Sequence, residues 1–391
     1  MSREKLSATL KYLAPVLVLA YTGMCIFLYC RFMGWESGSV YESDLPAHIS
    51  LAVDDGLLYS LISLIIMGLN RAGAMNALPV ILGGFAALSV FFSDRLIQEV
   101  TDHKADKGLT LIAALFLNIF MPCYIRGLAD GRYMGMHTSS IWHNSTYLMM
   151  KWMGLWTLLI YLRLEKNIVD KLEIKSYLYF MLVLTLTTCA KPNFFLAAAP
   201  VMFIFLVADL AKKKAPVGRL ILFASSVIPS FIVIYLQNNV LFEQKEDTGL
   251  IFAPGRAMSA HTGYLIPVSI LSIAFPLMVM IFHIRDLAKN RYMLFAWLCA
   301  GVGYLQYFLF TEEGARALDA NLSWGYAFTI ILIFGISLVQ WMDDIKNRFA
   351  GMKILSKAWI VLSGCVLLWH TWCGMLFFGR LLSGVSYMMW G

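Results

Sequence analysis

Polar and hydrophobic positions in this chain are sorted into long blocks. Apolar runs lie near residues 12–30, 57–69, 74–93, 109–123, 144–162, 176–190, 193–210, 219–241, 263–283, 292–310, 323–341 and 357–379. Most approach the ~20 residues that a helix needs to span a bilayer. The run "LLYSLISLIIMGL" at 57–69 has only thirteen residues. It is expected to lie in the interface or to re-enter. The pattern predicts an all-α integral membrane protein with about eleven transmembrane helices, plus an interfacial or re-entrant helical hairpin in the first outer loop. Residues 1–391 are expected to form a single polytopic domain.

Loop charge supplies the orientation, since Lys and Arg favour the cytoplasmic side. "AKKKAPVGR" (211–219), "RLEKNIVDKLEIK" (163–175), "HIRDLAKNR" (283–291), "DDIKNRFAGMK" (343–353) and the N-terminal "SREKLSATLK" are the basic segments. With 57–69 left out of the spanning set they share one side, and 21 of the Lys and Arg fall inside against 10 outside. If 57–69 crosses, the balance becomes 12 against 19. The first arrangement is preferred. It puts the N-terminus in the cytoplasm and the C-terminus outside. The outer face then holds loops 31–73, 124–143, 242–262 and 311–322.

Composition agrees with this. Hydrophobic residues make up 60% of the chain and charged residues 14%, with a mean hydropathy of +0.70; soluble domains carry about 25% charged residues. The net charge of +7 is explained by the inner loops and does not point to nucleic acid. The seven cysteines lie mostly inside apolar runs, with no disulfide framework and no CxxC metal spacing. No small-residue cleavage site follows the first run, so a signal peptide is a poor reading of it. The expected location is a bacterial plasma membrane.

The outer loops hold nearly all the unusual polar residues. "YESDLPAHIS" (41–50) contains Glu42, Asp44, Pro46 and His48. Asp44 and Pro46 alone fit a helix start. Asp44 and His48, four apart, would share a helix face, and a carboxylate at a membrane surface suits general-base work on a hydroxyl. "CYIRGLADGRYMGMHTSSIWHNSTYLMMKW" (123–152) brings Arg126, Asp130, Arg132, His137, Trp142, His143 and Asn144. Trp142 fits an interfacial aromatic belt, while His143 and Asn144 at a helix mouth could hold hydroxyls or an anion. "NST" and "NLS" are also glycosylation sequons, which are frequent by chance.

Lys191 in "TTCAKPNFFLAAAP" (187–200) stands between two apolar runs. It either snorkels to the interface or binds a phosphate. "FTEEGARALDANLSWGY" (310–326) carries Glu312 and Arg316, four apart, as in a solvated helix, with a substrate-lining role as the alternative. The loop 242–263, with Arg256 and His261, suits either a flap over a site or a plain connector.

An outer-loop acid followed by a proline and a short interfacial hairpin resembles the glycosyltransferase-C (GT-C) superfamily, as does the "KPNFFLAAAP" turn between spans. The resemblance covers about residues 1–210 well and 211–391 loosely. It implies an inverting glycosyltransferase that takes a sugar from a polyprenyl-phosphate donor and passes it to a glycan or lipid acceptor on the outer face. Membrane lipids would be its surroundings. On that resemblance Asp44 would be the base, with Glu42 and His48 beside it. Lys191, with Arg132 or Arg126, would hold the donor phosphate. Trp142, His143, Asn144 and Asp130 would line the sugar or acceptor. No DxD stands in the second outer loop, which puts a divalent metal in doubt, and no other cofactor is implied. No large soluble domain follows the last span, which argues against an oligosaccharyltransferase-like member.

Two rivals stay open. A transporter of a lipid-linked sugar would show polar residues at mid-span depth and internal repeats, and the sequence shows few such charges and no evident repeat. A polysaccharide polymerase or O-acyltransferase of the envelope could act on the same face with His48 or His143 as base.

Overall fold

The computed structural model describes residues 3–34, 41–125, 127–128, 137–168, 172–242 and 249–386. Among these residues it is all-α apart from one two-stranded ribbon. Long apolar helices dominate because the chain offers little else that can satisfy its backbone groups in lipid. They are α1 (Arg3–Met33), α4 (Leu78–Val100), α6 (Ser145–Asn167), α7 (Ile174–Ala190), α8 (Asn193–Ala211), α14 (Arg291–Leu309), α15 (Ser323–Asp343) and α16 (Ile354–Leu382). Shorter ones are α2 (Leu45–Val53), α3 (Leu61–Arg71), α5 (Lys107–Leu117), α9 (Val217–Ser225), α10 (Ile228–Phe242), α11 (Arg256–Ser259), α12 (Leu265–Ser272) and α13 (Ala274–Phe282). The ribbon pairs β1 (Leu250–Phe252) antiparallel with β2 (Phe310–Glu312).

Among the described residues, seven helical segments are long and apolar enough to cross a membrane, or eight if the bent pair α12–α13 counts as one. This integral membrane protein thus falls short of the expected eleven on length and hydropathy alone. α6 has the length, with 23 residues, but carries Lys151, Arg163, Glu165 and Lys166. α7 has 17 residues. α3, the thirteen-residue run, forms an eleven-residue helix, about 16 Å long against a ~30 Å core.

Two expected spans are broken. The run 109–123 is helical only to Leu117, turns at Asn118–Ile119 and continues without regular structure, and 263–283 bends by 73° between α12 and α13. Non-helical backbone at depth needs partners inside the protein, and α16 supplies them for both breaks. His370 Nδ1 donates to the Met121 carbonyl at 2.8 Å, which fixes its tautomer, and its bare Nε2 accepts the Phe275 N–H at 3.4 Å. The His370 carbonyl accepts the Met121 N–H at 3.1 Å. Gly374 lets the chain after α5 lie this close, since a Cβ there would stand 2.0 Å from the Ile119 oxygen. Asn118 covers the end of α5, donating to the Ala114 carbonyl and to Ser93 Oγ.

Charges collect at one end of the bundle. Glu99 at the end of α4 meets Arg163 (2.9 Å) and Lys166 (3.1 Å) of α6. Arg291 at the start of α14 meets Asp209 of α8 (2.8 Å) and also Glu165, while His283 after α13 meets the fully buried Asp344 at 2.7 Å. At the other end lie α2, the first turns of α6, α8 and α15, and the ribbon. Close helix approach there depends on glycine: a Cβ on Gly325 would be 2.9 Å from the Asn193 oxygen, and one on Gly303 2.9 Å from the Tyr326 backbone.

Candidate functional site

The site is assembled at the start of α6. The segment 137–144 leads into it, tied to α6 at the Ser139 carbonyl, which accepts from Lys151 Nζ (2.9 Å) and Tyr147 Oη (3.1 Å). Asn144 is the N-cap of α6, its Oδ1 accepting the Tyr147 N–H at 2.9 Å. Its amide nitrogen faces the other way and donates to Asp44 Oδ2 at 2.8 Å. The anion at this helix N-terminus is therefore Asp44 itself, held where the helix dipole favours negative charge.

Asp44 occupies the N-cap position of α2 yet makes no side-chain cap bond there. Ser43 does that work, its Oγ accepting the Leu45 N–H at 3.1 Å and donating to the His143 carbonyl at 2.9 Å. The helix-start reading of Asp44 is thus incomplete, because its carboxylate is directed at α6. His143 Nε2 stands 3.7 Å from Asp44 Oδ2. His48, one turn after Asp44 on α2, places Nδ1 2.6 Å from Ser145 Oγ.

Lys191 joins from the α7–α8 turn. Its Nζ donates to Thr146 Oγ1 at 2.9 Å, and Thr146 donates to Asn144 Oδ1 at 2.7 Å. One hydrogen-bonded chain, Asp44–Asn144–Thr146–Lys191, therefore links the carboxylate to the ammonium. The ammonium also lies 4.7 Å above the Trp324 ring, a cation–π contact that holds it in place. Lys191 makes no ion pair among the described residues.

The electrostatics separate the roles. Burial raises the Asp44 pKa, but His143, His48, the Asn144 bond and Lys191 together outweigh it, so the carboxyl stays below its ordinary value. Its side chain keeps 32% exposure. Desolvation pushes His48 and His143 down to about 4 against the pull of Asp44, so both imidazoles are neutral at pH 7. Desolvation also lowers Lys191 to about 7, with Asp44 opposing. An ionised carboxylate, two neutral imidazoles and an amine pushed down to about 7 share one cluster, which is partly exposed at Asp44.

Several expected members are placed elsewhere. Trp142 is buried with its indole N–H on Tyr21 Oη (3.1 Å) and its ring 4.8 Å from that of Phe378, so it packs inward and offers no face at Asp44. Glu42 accepts from Ser386, beyond α16, and neighbouring Tyr41 Oη donates to the Leu382 carbonyl. Arg126, Asp130 and Arg132 lie outside the described residues.

Besides Ser145 and Thr146, three residues near Asp44 and Lys191 were not assigned to the site from the sequence, or only as an alternative. Trp324 supports Lys191. Arg316 acts on the titration of Lys191 and Tyr59, and Asp44 also acts on Tyr59. The loop carrying Arg316, which leads to Trp324 in the first turn of α15, is not the expected solvated helix. It is β2 and a tight turn, anchored by Asn321 donating to Glu312 (2.6 Å) while its carbonyl accepts from Asn193 (2.9 Å). The Glu312–Arg316 spacing was its one sequence signal, and their 3.4 Å contact is present. The loop 249–263 is tied down by the ribbon and by His261 Nε2 at 3.0 Å from the Leu318 carbonyl. No three His, Cys, Asp or Glu side chains among the described residues converge as a metal would require.

No family model and no curated protein matches this chain.

Proposed function

We propose that this protein is an inverting, GT-C-like glycosyltransferase that moves a sugar from a polyprenyl-phosphate donor to a glycan or lipid acceptor at the outer membrane surface. The observation that carries the reading is the hydrogen-bonded chain from Asp44 to Lys191. Single displacement needs a base on the acceptor hydroxyl and a cation on the departing phosphate. Asp44 is ionised, partly exposed and rigidly held, as a base should be. Lys191, with Arg316 close by, supplies the charge for the leaving group. His48 and His143, neutral, orient hydroxyls without competing for the anion.

The topology that goes with this reading has eleven passages. Its support is the alternation of the ends: the ion-paired residues lie at the ends of α4, α6, α8 and α15 and at the start of α14, whereas the Asp44 cluster lies at the starts of α6, α8 and α15. Counting α5 with its continuation as one passage and α12–α13 as another makes eleven. The ion-paired end is the cytoplasmic one on the loop-charge rule.

A second reading, transport of a lipid-linked sugar, is favoured by one observation. Two discontinuous helices meet at His370, as expected of transporters. One experiment separates the two. Purified protein in detergent is offered polyprenyl-phosphate and polyprenyl-diphosphate sugars, and release of the lipid phosphate is measured for wild type and Asp44→Asn. Release lowered about 10²–10⁴-fold by the substitution supports the transferase. Equal release by both proteins would sink Asp44 as the base and leave a histidine-based polymerase. No release from any donor, with lipid binding retained, would favour transport.

A further inference from the structure

The ribbon at the Asp44 end of the bundle exposes large apolar side chains on one of its faces. β2 begins directly after Leu309, the last residue of α14, and β1 is laid against it. The pairing runs on past both strands. Ala253 N–H donates to the Leu309 carbonyl at 2.9 Å, Gly255 N–H to the Phe308 carbonyl at 2.7 Å, and Glu313 N–H to the Gly249 carbonyl at 2.9 Å. The ribbon is thus a direct extension of a long apolar helix.

Strand alternation sorts its side chains. Ile251 and Thr311, paired across the ribbon, share one face, where Thr311 is buried and donates to the Ala317 carbonyl. Leu250, Phe252 and Phe310 share the other. Leu250 is 63% exposed and Phe252 67%, and the Phe252 and Phe310 rings meet edge to face with centres 5.9 Å apart. Exposed apolar groups continue on the neighbouring elements, at Leu305 of α14 and at Ile266 and Ile270 of α12. α14 and the bent pair α12–α13 are both apolar enough to cross a membrane. They pack together at the ribbon, since a Cβ on Gly255 would stand 3.4 Å from Leu265 and 3.6 Å from Phe308. Exposed charge begins just beyond, at Glu313 and Arg256.

Backbone and side chains ask for different surroundings. The bonded pairs around residues 249, 253, 309 and 313 leave Leu250 and Phe252 with their N–H and C=O turned away from β2, and no partner meets them among the described residues. An open strand edge of this kind is not tolerated in hydrocarbon. A contiguous exposed apolar face marks an interaction surface. The head-group layer satisfies both, because it hydrates the edge and offers acyl chains to the side chains.

We propose that the exposed face of the ribbon is a membrane-surface contact, with Leu250, Phe252 and Phe310 inserted between phospholipids of the leaflet at the Asp44 end. Lipid is the occupant because the face continues the lipid-facing sides of α14 and α12. Asn321 bonds both Glu312 of β2 and Asn193, just after Lys191, so the insertion sets Lys191 at head-group depth. The proposal is independent of the function assigned to Asp44 and of which side is cytoplasmic.

Photo-crosslinking of the full-length protein tests it. Phe252→p-benzoylphenylalanine and, separately, Leu250→p-benzoylphenylalanine are reconstituted into dioleoyl phosphatidylcholine vesicles and irradiated, and lipid adducts are read by intact-protein mass. The same substitution at Ile266 gives the scale for a lipid-facing position. At Asp319, whose side chain is 54% exposed in the loop after β2, it gives the scale for a solvated one. Both ribbon positions are expected to match Ile266 and to exceed Asp319 at least about tenfold, since only inserted side chains reach acyl chains. Adduct at Phe252 and Leu250 no greater than at Asp319 overturns the proposal. So does a cross-linked dimer in place of lipid adduct, which would make the face a contact between two copies of the chain.

Discussion

Asn144 Nδ2 donates to Asp44 Oδ2 at 2.8 Å across 100 positions of sequence, while its own Oδ1 caps α6. One amide thus secures both the helix and the carboxylate. Asn144→Asp should keep the cap, but it sets a second carboxylate against Asp44, so Tm at pH 7 should fall and recover as the pH is lowered. Like charges at that distance raise one pKa. Donor turnover is then expected to fall at least tenfold at pH 7 and to recover in part at higher pH. Asn144→Ala should instead lower stability by about 1 kcal/mol through the lost cap. Equal turnover in wild type and Asn144→Asp would show that Asp44 does not act as the base.

Lys191 titrates near 7 in the folded protein, below its ordinary 10.5, because burial opposes its charge. A phosphate bound to its charged form should therefore lose affinity as pH rises above about 7. Binding of a polyprenyl-phosphate analogue, measured from pH 6 to 8.5, is expected to weaken about tenfold per pH unit on the alkaline side. Lys191→Arg should flatten the profile, since guanidinium stays charged. A profile equally steep in Lys191→Arg would place the titrating group elsewhere. The stability sign is opposite to that of an ion pair. The unfolded chain binds the proton more tightly, so stability should rise as pH climbs from about 7 towards 10.5.

Both histidines of the cluster are neutral at pH 7, with values near 4. Turnover should accordingly show no acid limb between pH 5 and 7. Protein stability should fall as pH drops from about 6.5 towards 4, because the unfolded histidines take up protons that the folded ones resist. His48→Gln, which retains a polar group towards Ser145, is expected to reduce that acid loss and to cost less than about tenfold in turnover. A loss as large as that of Asp44→Asn would make His48 the base.

His370 closes two broken helices with one ring. His370→Leu leaves the Met121 carbonyl and the Phe275 N–H without that partner, each costing about 1–3 kcal/mol. Unfolding in detergent should show a drop of that combined size. Gly374→Ala should also destabilise, because its Cβ would meet the Ile119 oxygen. If both variants unfold like wild type, neither helix break depends on α16.

The amino-acid sequence by itself determined the class of this protein and most of its parts. Runs of apolar residues bury themselves in lipid whatever their neighbours, so the long helices and the short α3 follow from local composition. Asp44, His48, His143, Asn144 and Lys191 were visible for the same reason, as polar groups where apolar runs begin or end. Their convergence was not visible. Only packing brings Asn144 to Asp44 and Lys191 to Trp324, turns Trp142 inward towards Tyr21, and adds Arg316 and Tyr59 to the cluster. The breaks after Leu117 and at Ile273 were hidden too. A broken apolar helix has the same composition as an intact one, and the bond that permits the break at Met121 comes from His370, 249 residues away. Hydrophobic pattern reports how each segment meets its solvent; hydrogen bonds between distant segments are decided only when the tertiary structure brings them together.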